Sequence, residues 1–230
     1  MQWLDQYQLF LFDFDGLLVN TEELHFQAYQ NMCLGRGFTL PWTFSQYCSI
    51  AHYSAQGLRE KIYAEFPKLY QAEPNWDTLY LEKKYWIEKL LKEGAVKLMP
   101  GATSLLQELQ ARPITSCVVT HSPLEQISLI VEQHPLLNTI SHWITRKDYM
   151  QPKPHPECYM KAIELYGGKD KAIIGFEDTP RGLQALKQTQ ALPIWVSQVP
   201  YPEIQPWQEL GMIHAHSLED ISKLLAGKST

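Results

Sequence analysis

Leu9-Phe10-Leu11-Phe12-Asp13-Phe14-Asp15-Gly16 is the stretch that decides the fold. Four apolar residues in a row, with no polar alternation, predict a short strand buried on both faces, as in a parallel sheet. The run ends abruptly in two carboxylates with one residue between them, and a glycine follows. A carboxylate desolvated without a partner is costly, so it needs a cation or strong donors. Two of them at the outlet of one strand predict a site that combines a metal ion with a nucleophile.

Later segments repeat the pattern of a short apolar strand, a polar turn and a helix. Ile114 to Val119 predicts a strand ending at Thr120-His121-Ser122, with Ser122-Pro123 as cap and first residue of a helix. Ile140 to Thr145 predicts a weaker strand, and His155 to Tyr166 a helix closed by Gly167-Gly168. Lys171 to Gly175 predicts a strand running into Phe176-Glu177-Asp178-Thr179, where Thr179-Pro180 caps a helix reaching about Thr189. Leu192 to Val196 is a fifth strand, and the tail after Pro200 reads as loop, then helix. Strands alternating with helices imply parallel pairing through right-handed crossovers, hence an α/β core.

Residues 21–97 differ: they carry helical patterning, little strand patterning and many aromatics. Thr21-Glu22-Glu23 opens a helix with acids in its first turn. Tyr53 to Phe66 and Trp76 to Glu93 continue in helical style, and the aromatics predict the core of a small bundle. The expected organisation is therefore a core of residues 1–20 and 98–230 with a helical domain, 21–97, inserted after the first strand. Two chain crossings would make a hinge.

The 230 residues hold 20 Lys and Arg against 25 Asp and Glu, a net charge of -5, with no basic cluster to mark a nucleic-acid-binding face. No stretch reaches the length of a membrane span, and Met1 to Asp5 lack the basic start of a secretory signal. Cys33, Cys48, Cys117 and Cys158 form no CxxC pair and suit four reduced thiols. These features predict a cytoplasmic protein whose partners are neither nucleic acid nor membrane; oligomeric state is not legible in them, and a monomer is the favoured expectation.

In an open parallel sheet, ligands sit beyond the carboxyl ends of the strands. Asp13/Asp15, Thr120-His121-Ser122, Lys153 in Gln151-Pro152-Lys153-Pro154, and Glu177-Asp178 all fall there. Taken singly, each has an ordinary use as a turn, cap or solvated loop residue. Together they are the parts of a metal-assisted phosphoryl-transfer site. Mg2+ prefers oxygen ligands, which Asp13, Asp178 and Glu177 offer. Asp13 would attack phosphorus, and Asp15 would protonate the leaving oxygen and then activate water. Thr120, His121 or its neighbouring amides, and Lys153 would hold the phosphate oxygens.

Asp13-Phe14-Asp15-Gly16-Leu17-Leu18-Val19-Asn20-Thr21-Glu22 resembles the first motif of the haloacid dehalogenase-like superfamily. Thr120 resembles its second motif, Lys153 its third, and Glu177-Asp178-Thr179-Pro180-Arg181-Gly182 its fourth. The likeness is to the β-phosphoglucomutase and phosphoglycolate-phosphatase branch. It implies a Rossmann-like core with a turn-and-flap segment over Gly16 to Asn20, Asp13 as nucleophile, Asp15 as acid/base, and a helical cap that opens and closes over substrate. It implies that Mg2+ is held by Asp13, the Asp15 carbonyl and Asp178, with Glu177 nearby. Asn20 stands where the branch usually carries Asp, and His121 where Asn or Ser is common. Residues Cys48 to Ser54 lack the mutases' Lys-Gly pair, leaving His52 and Arg59 as cationic candidates. The expected function is a magnesium-dependent phosphatase acting on a small phosphorylated metabolite through an aspartyl-phosphate. The alternatives are a phosphosugar mutase and a binding module that kept the site without turnover.

Overall fold

The computed structural model describes residues 1–53, 55–168 and 171–226. The chain divides into two compact units, Met1–Asn20 with Lys97–Thr230, and Thr21–Val96. The first unit is an α/β Rossmann-like fold built on one sheet. Its strands are β1 (Leu9–Phe12), β2 (Thr115–Val119), β3 (His142–Ile144), β4 (Ile173–Glu177), β5 (Leu192–Val196) and β6 (Ile213–Ala215). Their order is β3-β2-β1-β4-β5-β6, and every pairing is parallel. The strand order reverses at β1, between β2 and β4, and this is where a parallel sheet opens a crevice.

All four residues of β1 are fully buried, as an uninterrupted apolar run requires at the centre of such a sheet. Phe12 stacks on Phe176 with ring centroids 5.2 Å apart, and Phe10 on Phe176 at 6.2 Å. The Asp13 amide donates to the Phe176 carbonyl at 3.1 Å, so β1 and β4 stay paired up to the first carboxylate. Beyond Asp15 the chain turns sharply. Gly16 takes φ +83, a left-handed value that side chains rarely adopt, while the Leu18 and Val19 amides both donate to the Phe14 carbonyl. Val19 then bridges antiparallel to Leu98. Asn20 Oδ1 accepts from the Lys97 amide at 2.7 Å, and this contact ties the two chain crossings together.

Three expectations need correction. The strand expected at Lys171–Gly175 lies two residues later, so Glu177 is the last residue of β4 and no part of the following loop. Ser122 does not cap the next helix. Pro123 occupies the N-cap of Leu124–Gln133, and the Ser122 hydroxyl is spent elsewhere. The tail holds a sixth strand, β6, between the helices Gln205–Glu209 and Ile221–Ala226; three residues are too few to show a period. Thr179, in contrast, caps the helix Pro180–Lys187 by accepting from the Gly182 amide, with Pro180 in the first turn.

The second unit is all helical, with helices Thr21–Gly35, Phe44–Ala51, Ala55–Glu65, Pro67–Ala72 and Trp76–Lys92. A reciprocal cap between Thr43 and Gln46 opens the second of them. Its interior is aromatic: Phe26 on Tyr47 at 5.0 Å, Tyr63 on Trp76 at 5.5 Å. His52 is buried and paired with Glu22 at 3.1 Å; Arg59 is exposed beside the Tyr63 ring; Ser54 lies outside the described residues. No described helix is long and apolar enough to cross a membrane. All four cysteines are buried free thiols.

Candidate active site

Because the strands run parallel and in register, Asp13, Thr120 and Glu177 leave the same edge of the sheet. Lys153 arrives in the loop after β3, and its side chain reaches inward. Its Nζ donates to Asp13 Oδ1 at 2.6 Å, to Glu177 Oε1 at 2.6 Å and to the Val119 carbonyl at 3.0 Å, which accounts for all three protons. Burial alone would pull this ammonium toward neutrality. The Asp13 and Glu177 carboxylates outweigh burial and hold its pKa above the ordinary lysine range.

Glu177 is fully buried. Its Oε1 also accepts from the Tyr159 hydroxyl, and its Oε2 from Thr179 Oγ1 at 3.4 Å. Burial pushes its pKa up; Lys153 opposes that shift and the Asp13 charge adds to it. Gly182 passes directly beneath this carboxylate. A Cβ there would stand 2.0 Å from Glu177 Oε2, so only glycine lets helix and carboxylate approach so closely.

Asp13, Glu177 and Asp178, all buried, each offer an oxygen within 4.8 Å of the others. Asp13 and Glu177 share the Lys153 ammonium, and the three acids present oxygen donors only. That set fits a hard divalent cation such as Mg2+. The Asp15 carboxylate is not among the three. It faces a separate cage: Ser122 Oγ donates to Oδ2 at 2.5 Å, Thr120 Oγ1 to Oδ2 at 3.1 Å, and Gln126 Nε2 reaches Oδ1 at 3.5 Å.

The structure thus brings Asp13, Lys153, Glu177 and Asp178 together, with Asp15 and Thr120 beside them in their own cluster. The His121 side chain, whose role the sequence left open, meets the Lys153 loop. Its Nε2 accepts from the Lys153 amide at 3.0 Å. Burial, then the Lys153, Arg181 and Arg146 charges, pull its pKa down to about 3, so the ring is a neutral acceptor at pH 7. Sequence reasoning overlooked Tyr159, Ser122 as a partner of Asp15, and Gln126. Tyr159 had a usable signal: it falls on the sheet-facing side of the helix Glu157–Tyr166, and a buried tyrosine hydroxyl needs a partner.

The sequence matches the family model described as haloacid dehalogenase-like hydrolase over residues 10–196. A Drosophila melanogaster protein named probable pseudouridine-5'-phosphatase is 28% identical over 182 residues, covering 76% of this chain and 75% of its own. The phosphorylated carbohydrates phosphatase of Thermotoga maritima is 26% identical over 184 residues, covering 77% and 79%. Among solved structures, β-phosphoglucomutase from Clostridium difficile superposes with a TM-score of 0.67 at 18% identity, covering 96% of this chain and 98% of that one. At that identity the superposition speaks for the fold alone.

Proposed function

The chain belongs to the haloacid dehalogenase-like hydrolase family, and from that premise we propose that it is a Mg2+-dependent phosphatase of small phosphorylated metabolites working through an aspartyl-phosphate. One observation carries the proposal. Asp13 and Asp15 stand two positions apart on one chain segment yet face different surroundings, one an ammonium and two further acids, the other hydroxyls and an amide. Neighbouring carboxylates with divided environments take divided roles in catalysis.

In this proposal Asp13 attacks the substrate phosphorus, forming an O–P bond as the ester oxygen leaves. Asp15 delivers a proton to that oxygen, and the carboxylate left behind takes a proton from the water that cleaves the acyl phosphate, regenerating Asp13 and releasing inorganic phosphate. Lys153 offsets the charge that collects between nucleophile and phosphate. Asp13, Asp178, the Asp15 carbonyl and the neighbouring Glu177 would hold the metal, which supplies Lewis-acid polarisation of the phosphoryl oxygens when bound. Thr120, on turning its hydroxyl from Asp15 to the substrate, and the His121 amide would complete the phosphate cradle. The helical unit is the cap domain in this scheme and the sheet unit is the catalytic core. Two phosphatase relatives place sugar phosphates and nucleoside 5'-phosphates first among the substrates to try.

The test is phosphate release from a panel of sugar and nucleoside phosphates with Mg2+ present. Activity that vanishes in Asp13→Asn and on chelation supports the proposal. Full activity in Asp13→Asn overturns it. Conversion of β-glucose 1-phosphate to glucose 6-phosphate without free phosphate would move the assignment to a mutase.

A further inference from the structure

We infer that His121 is a positioning residue, whose Nε2 latches the Lys153 loop to the end of β2. The inference rests on Lys153 belonging to the phosphate site. Lys153 lies between Pro152 and Pro154, and neither proline has an amide proton. The Lys153 N–H is therefore the one backbone donor of that tripeptide, and it goes to His121 Nε2 at 3.0 Å.

An imidazole nitrogen has one lone pair in the ring plane. While Nε2 accepts from Lys153, the ring proton sits on Nδ1, so Nε2 has no proton to give a phosphate oxygen. The ring is held in turn. Tyr149 lies beside it with centroids 5.7 Å apart, and the Tyr149 hydroxyl donates to the Thr120 carbonyl at 3.0 Å. The Thr120 amide donates to the Ile144 carbonyl at 2.9 Å, which anchors this corner to β3. Arg146 Nη1 donates to the Tyr149 carbonyl at 2.8 Å and fixes the tyrosine from the other side.

Lys153 is thereby fixed at both ends. Its ammonium is set by Asp13, Glu177 and Val119, its backbone by His121. Met150, three residues before it, is 82% exposed, so the loop has little apolar burial of its own at that point. Glu157 holds the stretch just before Lys153 by accepting from the Met150 and Gln151 amides at 2.8 and 2.7 Å, and the His121 contact extends that anchoring to the backbone of Lys153 itself. Misplacing a charge by about 1 Å costs up to about a hundredfold in a catalysed rate, so such a contact has functional weight.

The experiment compares His121→Phe, which keeps a ring against Tyr149 but has no acceptor, with His121→Gln, whose Oε1 reaches about as far as Nε2. Two readouts need no turnover: hydrogen exchange of the Lys153 amide and affinity for inorganic phosphate. We expect the Lys153 amide to exchange slowly in wild type and at least about tenfold faster in His121→Phe, with phosphate affinity down about tenfold. His121→Gln should restore both to within about threefold. In a Lys153→Ala background, His121→Phe should cause no further loss of phosphate affinity, because it acts through the missing ammonium. Independent, multiplying losses would make His121 a direct ligand and overturn the inference, as would a Lys153 amide that exchanges equally fast in all proteins. If His121→Phe does not fold, His121→Gln decides alone, and fast exchange there refutes the latch. A wild-type protein inert toward every phosphate ester, yet with an amide protected by His121, would sink the phosphatase proposal and leave the latch standing.

Discussion

Replacing Lys153 by Met removes the ammonium that Asp13 and Glu177 share. The ammonium stands 2.6 Å from an oxygen of Asp13 and 2.6 Å from one of Glu177. Unit charges at that distance, in an effective dielectric of about 20, attract by about 6 kcal/mol for each pair. Most of that gross term offsets the cost of taking three ions out of water. The net loss on deleting one partner of a buried ion cluster is about 3–5 kcal/mol, because the remaining charges are left uncompensated. Methionine keeps the stem volume, so cavity formation adds little. Without metal at pH 7, Lys153→Met should unfold about 6–20 °C lower than wild type, at about 2–4 °C per kcal/mol for a chain of this size. Urea titration followed by circular dichroism gives the same quantity as a free energy. The loss should shrink as pH falls, since burial already raises the Glu177 pKa and protonation relieves the unpaired acids. Mg2+ should restore part of the stability and bind more tightly than to wild type, because the competing ammonium is gone. A Lys153→Met protein within about 1 kcal/mol of wild type at pH 7, with unchanged Mg2+ affinity, would refute the claim that this lysine balances the acids.

Further outcomes follow from the same geometry. Gly182→Ala places a methyl 2.0 Å from Glu177 Oε2 and should cost more than about 3 kcal/mol in urea unfolding, with loss of Mg2+ binding; a near-neutral result would contradict the close approach. Added Mg2+ should raise the melting temperature of chelator-treated wild type in proportion to log concentration, and Asp178→Asn should abolish the rise. His25, in the helical unit, has its pKa pulled down to about 4 by burial first and by the Lys83 charge second, with Lys83 Nζ 2.6 Å from its ring nitrogen. The native state keeps this ring neutral while the unfolded chain takes a proton near pH 6.5, so stability falls as pH drops from about 6.5 to about 4. Urea midpoints across that window should fall less steeply in His25→Gln; an identical slope would remove His25 as the cause.

Much of the site is legible in the sequence. The apolar run Leu9–Phe12 with Asp13 at its end identified the central strand, because a doubly buried strand has a composition that no amphipathic element shares. Thr179-Pro180 announced a helix start through local hydrogen bonding alone, and the structure places the cap there. Ser122-Pro123 presented the same local signal and was misleading. The Ser122 hydroxyl turns instead to Asp15, 107 positions away, a partner that no local rule can weigh. β6 escaped notice because three residues hold no measurable period, and its strand character comes from pairing with β5.

By itself the sequence determined which residue types reach the sheet's carboxyl edge, since strand ends and turn residues follow from short-range sterics and burial patterns. Only the tertiary structure decided who bonds to whom. Lys153 could have been a solvated loop lysine, His121 a base and Tyr159 plain core. Their roles emerged when strands more than a hundred positions apart were brought side by side, because the energy of a buried charge or hydroxyl depends on the partner that meets it in space.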